Sequence, residues 1–286
     1  MAVVLLAFTE GLQWDEIYDA VEVFSGKGVL SYALLAMGYA AASLDIVNWN
    51  PWIQNRISEG RKPLCKGNPL DLVEPSGFAL LLSTILRSKP DAVFAFGVVC
   101  STWVAVSRGS THRHYFLPLG DPNSPSCNKA NLLVARTCLA LLLIIARGST
   151  FVIEQPNSSL LYRHPRFNAL MRLTTVFKQS FWMSGWGGKT PKRTVLWSNS
   201  SAVRVFKTKP KHRVKRGKSL TDKYRDSSGK VRYKGNKNLR SSQQYPLRFG
   251  VRFGRAMRYF HKEKATPKYP VDVRVAHLYI NKAFDF

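Results

Sequence analysis

Apolar and polar positions divide the chain into an alternation of short buried strands and longer helices. Residues 20–45 read in order as a strand, a glycine turn at Gly26 and Gly28, a helix, a second strand and a terminal carboxylate, Asp45. After a polar, tryptophan-containing stretch, Phe78 to Leu86 is an apolar run of helix length, and Ala92 to Phe96 is the next strand. The segment from Cys100 to Cys127 is rich in Gly, Pro, Ser and His and has no period, so it predicts a long loop. Asn128 is placed to cap a helix that is apolar almost all round from Leu132 to Ala146 and stops at Gly148. Phe151-Val152-Ile153 predicts a fully buried strand that ends at Glu154-Gln155-Pro156-Asn157, and Pro165 opens another helix. Two further strands are expected near 181–186 and 194–197. Such alternation implies a mostly parallel sheet with helices on both faces, in which ligands gather beyond the carboxyl ends of the strands.

The pattern changes near Lys207. From there to Gln244 large apolar residues are few and Lys, Arg, Ser and Gly are many, which predicts a mobile segment unable to bury enough surface to order itself. An apolar period restarts at Tyr245 and runs through Phe260 as a helix expected to return to the domain, and Val271 to Ile280 reads as a late strand. The expected organisation is a cofactor domain over 1–200, a basic flexible segment over 201–244 and a C-terminal segment over 245–286.

Charge sharpens this division. The 286 residues carry a formal +26, yet residues 1–188 hold 16 Lys and Arg against 12 Asp and Glu, whereas 189–270 hold 25 against 3. A density of that kind suits a polyanion, so nucleic acid, DNA or RNA, is the first partner to expect. Lys209, Lys211, Arg213, Lys215, Arg216 and Lys218 form its densest run, which reads as a phosphate-contacting stretch or a nuclear-import address. Tyr224, Tyr233 and Tyr245 are interleaved with the cations and could stack on exposed bases. The apolar run Leu139 to Ala146 is far short of the roughly 20 residues needed to span a bilayer. No Cys-x-x-Cys pair occurs among Cys65, Cys100, Cys127 and Cys138, which argues against a zinc site and a disulfide framework. A soluble protein of a reducing compartment, nuclear or cytoplasmic, is expected.

Three potential ligand positions fall at strand ends. Gly26 and Gly28 lack the side chains that would hold a cofactor off the turn, and Asp45 follows at the distance of a ribose-binding acid. Cys100 and Glu154 end the next two strands. Carried by Phe24-Ser25-Gly26-Lys27-Gly28, Asp45, Cys100 and Glu154, residues 18 to 200 resemble the S-adenosylmethionine-dependent methyltransferases, and within them the C5-cytosine methyltransferases. The resemblance implies a Rossmann-like methyltransferase sheet that binds S-adenosyl-L-methionine through Phe24, Ser25, Gly26, Gly28, Asp45 and Asp71. Cys100 is then the nucleophile that adds to C6 of cytosine, and Glu154 the partner of N3 and the exocyclic amino group. Val98 and Val99 stand where that family has prolines, which predicts a looser, more strand-like loop before Cys100. Gln155-Pro156 follows Glu154, and the proline is expected to redirect the chain at once. The alternative reading is a catalytically inactive nucleic-acid-binding protein on the same scaffold.

Overall fold

The structure is a computed structural model that describes residues 15–48, 70–190, 192–209, 221–236, 239 and 242–264. Its centre is a six-stranded sheet of β1 (Tyr18–Val23), β2 (Ala41–Leu44), β3 (Ser88–Phe96), β4 (Thr150–Pro156), β5 (Phe177–Trp182) and β6 (Arg193–Ser198), in the spatial order β2-β1-β3-β4-β6-β5. Strands β2, β1, β3 and β4 are parallel, whereas β6 runs antiparallel to both β4 and β5. The fold is therefore α/β with a mostly parallel sheet, consistent with a Rossmann-like arrangement.

Period-two alternation assigns each strand residue to one of two cores. Val21, Val23, Phe94, Phe96, Phe151, Ile153, Val195 and Trp197 face one side. There they meet helices α2 (Pro75–Leu86), α3 (Pro125–Ala146) and α4 (Pro165–Leu173) through Phe78, Leu133, Leu141 and Phe167. Ala20, Val93, Ala95, Val152 and Leu196 face the other side, where α1 (Val29–Leu35) and α5 (Leu247–Lys262) cover them with Leu30, Leu34, Phe249, Phe253 and Phe260. A sheet buried on both faces explains why its strands read as near-continuous apolar runs.

Local chemistry moves several boundaries. Helix α3 begins at Pro125, with Ser124 as its cap accepting from the Cys127 amide, so Asn128 lies inside it. At 22 residues α3 is long and apolar enough to cross a membrane by composition, but Val134, Leu141, Leu143 and Ile144 are sealed against the sheet. Strand β4 continues through Pro156 instead of turning away at it. Pairing with β3 stops at Ile153, so beyond that point only the β6 side of β4 is used, and a proline without an N–H is tolerated.

Part of the segment expected to be mobile is a β-hairpin, β7 (Thr221–Arg225) with β8 (Val231–Gly235). Asp226 builds its turn by accepting from the backbone of Ser228 and Lys230, and Gly229 supplies the left-handed position. Local turn chemistry supplies here what apolar content does not. Helix α5 returns to the domain as expected and packs on α1, while the strand expected at 271–280 lies outside the described residues.

Candidate functional site

The order β2-β1-β3-β4 makes the crevice between β1 and β3 the point where the chain reverses its direction of winding, the position where open parallel sheets bind ligands. A cavity of about 740 Å³ opens there, within the range of small-molecule sites. The turn after β1 forms one wall, the loop after β3 a second, and Glu154, Lys192 and Tyr245 close the far end.

The glycine turn is held open by specific bonds. Phe24 has a φ of +58°, an uncommon conformation for a bulky residue and one that clusters at ligand sites. Gly26, at φ +56°, faces open space, since a Cβ placed there would meet no atom within 4 Å. Its amide donates to Asp45 Oδ2 at 2.8 Å, and the Val47 amide donates to Oδ1 at 3.0 Å. Among the described residues each carboxylate oxygen accepts one such bond and keeps a second lone-pair direction, and the carboxylate lines the cavity. Phe24, Ser25 and Gly26 line it as well, but Gly28 does not; it caps α1, and a Cβ on it would press on Ser43 Oγ at 3.1 Å.

Asp71 does not line the cavity. Its Oδ1 accepts from the Val73 amide ahead of α2, and its Oδ2 lies 3.7 Å from Lys129 Nζ. Lys209 is exposed and also outside the cavity, while Lys211, Arg213, Lys215, Arg216 and Lys218 lie outside the described residues.

The loop carrying Cys100 is tied down despite having no prolines. The Gly97 amide donates to Val23 O at 3.0 Å, and Gln155 Nε2 donates to Val98 O at 2.5 Å. Gln155 is fully buried and is itself held by Ser159 Oγ at 2.9 Å. The residue that replaces the expected pattern after Glu154 therefore fixes the loop that replaces the expected prolines, and β3 ends at Phe96 before that loop begins.

Two residues given little weight in the sequence complete the site. Lys192 Nζ lies 3.0 Å from Glu154 Oε1 with both side chains largely buried, and the Tyr245 hydroxyl lies 3.5 Å from Oε2. Tyr245 is thus turned inward against Glu154, with its ring 5.1 Å from that of Phe249, and not outward among the cations. Burial works against the charge on Lys192, but the neighbouring Glu154 carboxylate and Cys100 sulfur outweigh it and raise its pKa. Burial dominates at Cys100 and pushes the thiol up; Lys192 pulls it down and Glu154 adds to the rise. The Tyr245 phenol is held well above its usual range by burial and then by Glu154, Glu22 and Cys100. Cys127 and Cys138 are core residues, and burial pushes the Cys138 thiol up to about 12.

Glu22, on β1, had no signal beyond being an acid in an apolar strand. It is 2% exposed, faces α1, and accepts from the Ser31 amide and hydroxyl at 2.8 and 2.7 Å. Burial, only partly offset by those bonds, raises its pKa to about 7. Among the described residues its Oε1 has no hydrogen-bond partner, and with Glu154 and Tyr245 it borders a void of about 10 Å³ beneath the site.

No family model and no curated protein matches the chain. Its chemistry must be read from the site. One end of the cavity offers a bare backbone turn beside a carboxylate with free lone pairs. The other offers a thiol, an ion-paired carboxylate and a phenol within mutual electrostatic reach. The arrangement sets hydrogen-bond acceptors and open backbone at the first end against a thiol flanked by a cation and a carboxylate at the second.

Proposed function

We propose that the protein is an S-adenosylmethionine-dependent methyltransferase acting on nucleic acid, at cytosine C5 through a Cys100 adduct. The observation that carries this reading is that the Gly26 amide and the Asp45 carboxylate meet on the wall of the same cavity that Cys100, Glu154 and Lys192 line. The cofactor fits this wall: the space over Gly26 is open, both Asp45 oxygens can accept from ribose hydroxyls, and half-exposed Val47 offers an apolar surface to a base. When bound, S-adenosyl-L-methionine supplies an electrophilic methyl group.

The protein's own residues prepare the acceptor. C5 of cytosine becomes nucleophilic when the Cys100 sulfur adds its electron pair to C6 and the ring electrons shift toward C5. Glu154 meets N3 and the exocyclic amino group from a position fixed by Lys192 and Tyr245. Lys192 is the cation that favours the thiolate over the thiol. After transfer, the C5 proton passes to solvent water, its electron pair restores the C5–C6 double bond, and the C6–S bond breaks to release Cys100 as the thiolate. A base stacked in a duplex cannot enter such a cavity, so the substrate is single-stranded or the base is extruded. The basic segment supplies sequence-independent phosphate affinity; if about 6–10 phosphates are neutralised, affinity falls by about 10³–10⁵ between 50 and 200 mM salt.

The deciding experiment measures incorporation of labelled methyl from S-adenosylmethionine into DNA and RNA, with Cys100→Ser as the control. The variant should bind the cofactor and transfer nothing; full activity in it excludes the covalent route. A second reading, a non-catalytic nucleic-acid-binding protein on this scaffold, is favoured by the direction of the Cys100 shift, since burial dominates the influence of Lys192. Tight cofactor binding without transfer to any nucleic acid would select it.

A further inference from the structure

The loop after Cys100 projects two aromatic rings into solvent from a rigid base. His114 and Leu117 bridge across a tight turn through bonds of 3.3 and 3.2 Å, leaving Tyr115 and Phe116 at its tip, 50% and 85% exposed. Turn tips ordinarily carry Gly, Asn, Asp or Pro, and an 85% exposed phenylalanine gains nothing from folding. The base beneath is costly to build. Arg113 is 1% exposed, and its guanidinium donates to Pro118 O, to Cys127 O at 3.3 Å and to Asn131 Oδ1 at 2.9 Å while lying 3.6 Å from the centroid of the buried Trp103 ring. The rings are therefore held out, not left loose.

A second loop completes the surface. The Leu160 amide donates to Trp103 O at 2.9 Å, joining the chain after β4 to the chain after β3. This brings Arg163 3.5 Å from the Tyr115 ring centroid and 5.2 Å from that of Tyr162, so one guanidinium lies between two exposed tyrosines. Residues 97–127 and 156–176 contain five arginines and one acid, Asp121, whose Oδ2 lies 3.9 Å from His112 Nδ1. The first loop carries Cys100 beyond the end of β3, and the second leaves the end of β4, which carries Glu154.

The geometry points to the Tyr115–Phe116–Tyr162 shelf, with Arg163 in it, as a stacking platform for unpaired bases of a single-stranded nucleic acid. Exposed π-faces accept any base, and loops that carry five arginines against one acid tolerate the phosphates between them. The inference rests on the nucleic-acid half of the proposed function and gives that function a substrate form: a strand whose bases next to the target are unpaired.

The test uses the full chain and fluorescein-labelled oligo-dT and oligo-U, with fluorescence anisotropy read at several salt concentrations. Tyr115→Ala/Phe116→Ala should weaken binding roughly five- to a hundredfold, with the slope of log affinity against log salt unchanged, because stacking releases no counterions. Arg163→Gln should lower that slope by about one. Phe116→Trp should retain wild-type affinity, which separates stacking from a change in fold. Wild-type affinity in the double alanine variant overturns the platform, and so does a wild type that binds neither strand. Labelled-methyl transfer, measured alongside, keeps the two claims apart. Transfer with unaltered affinity in the double variant sinks only the platform, whereas lost affinity in a protein that transfers no methyl sinks only the enzymatic reading. A loss of self-association in place of lost strand affinity assigns the shelf to protein contact and overturns the inference.

Discussion

Replacing Glu22 with Gln should make the protein progressively more stable than wild type as pH rises. The carboxyl is buried against α1, and its pKa stands at about 7 against an ordinary 4.5, with burial as the largest cause and the two Ser31 bonds opposing it. An acid that holds its proton more tightly in the folded chain than in the unfolded one stabilises the fold fully below about pH 4.5. That contribution is lost as pH climbs through about 7. The full difference corresponds to about 3 kcal/mol, of which ~2.5 kcal/mol disappears between about pH 5 and pH 8.5. Glutamine keeps an oxygen for the Ser31 donors and has nothing to ionise, so the loss is absent in the variant. Urea unfolding followed by tryptophan fluorescence, at matched ionic strength from pH 5 to 8.5, gives both curves, and all other titrating groups cancel in their difference. The difference should grow by about 2–3 kcal/mol in favour of Glu22→Gln over that range. A difference that stays flat with pH, or one that turns against the variant at high pH, refutes the reasoning. Ser31→Ala, which removes the hydroxyl bond that favours the ionised form, should move the wild-type loss to higher pH.

Two further substitutions probe the cavity. Gly26→Ala, at φ +56° with open space around it, should cost only about 1–2 kcal/mol of stability by its left-handed backbone, yet weaken S-adenosylmethionine binding in calorimetry by more than tenfold. Unchanged affinity would remove that turn from the cofactor site. Lys192→Met should shift the pH midpoint for iodoacetamide alkylation of Cys100 upward and Glu154→Gln should shift it downward, as read by mass spectrometry of the Cys100 peptide. Identical midpoints would show that neither side chain governs the thiol.

The alternation of strand and helix was legible because a sheet covered on both faces demands continuous apolar runs, and Phe151-Val152-Ile153 divides its side chains between the two cores. Asp45 was legible for a related reason, since a fixed spacing across one strand–helix–strand unit brings it back to Gly26. The polar start of β3 was not. Ser88 pairs with Tyr18 ahead of a register shift, and Lys89 is fixed by Asp19 at 2.8 Å, neither of which leaves an apolar period. Nor could the hairpin at 221–235 be read from hydropathy, because Asp226 builds it through local backbone bonds. Lys192 and Tyr245 stand far from Glu154 in the chain, and only the antiparallel placement of β6 and the return of α5 bring them to it.

Those returns give the two buried glutamates of one sheet face opposite surroundings. Glu22 and Glu154 both point toward α1 and α5, on β1 and β4, with β3 between them ending at Phe96, just ahead of Gly97. A side chain at Gly97 would come within 3.1 Å of both Phe24 O and the Tyr245 hydroxyl, so the glycine is what allows the phenol to lie over the gap between the two acids. Glu154 then faces the Lys192 ammonium, whereas Glu22 faces two Ser31 donors on one oxygen and a void on the other. Surroundings that differ in this way suit the two side chains to different work. Glu154 opens onto the cavity beside Cys100, and Glu22 is sealed beneath it. Tyr245, whose phenol holds its proton throughout the physiological range, separates the two and donates to the one that lines the cavity.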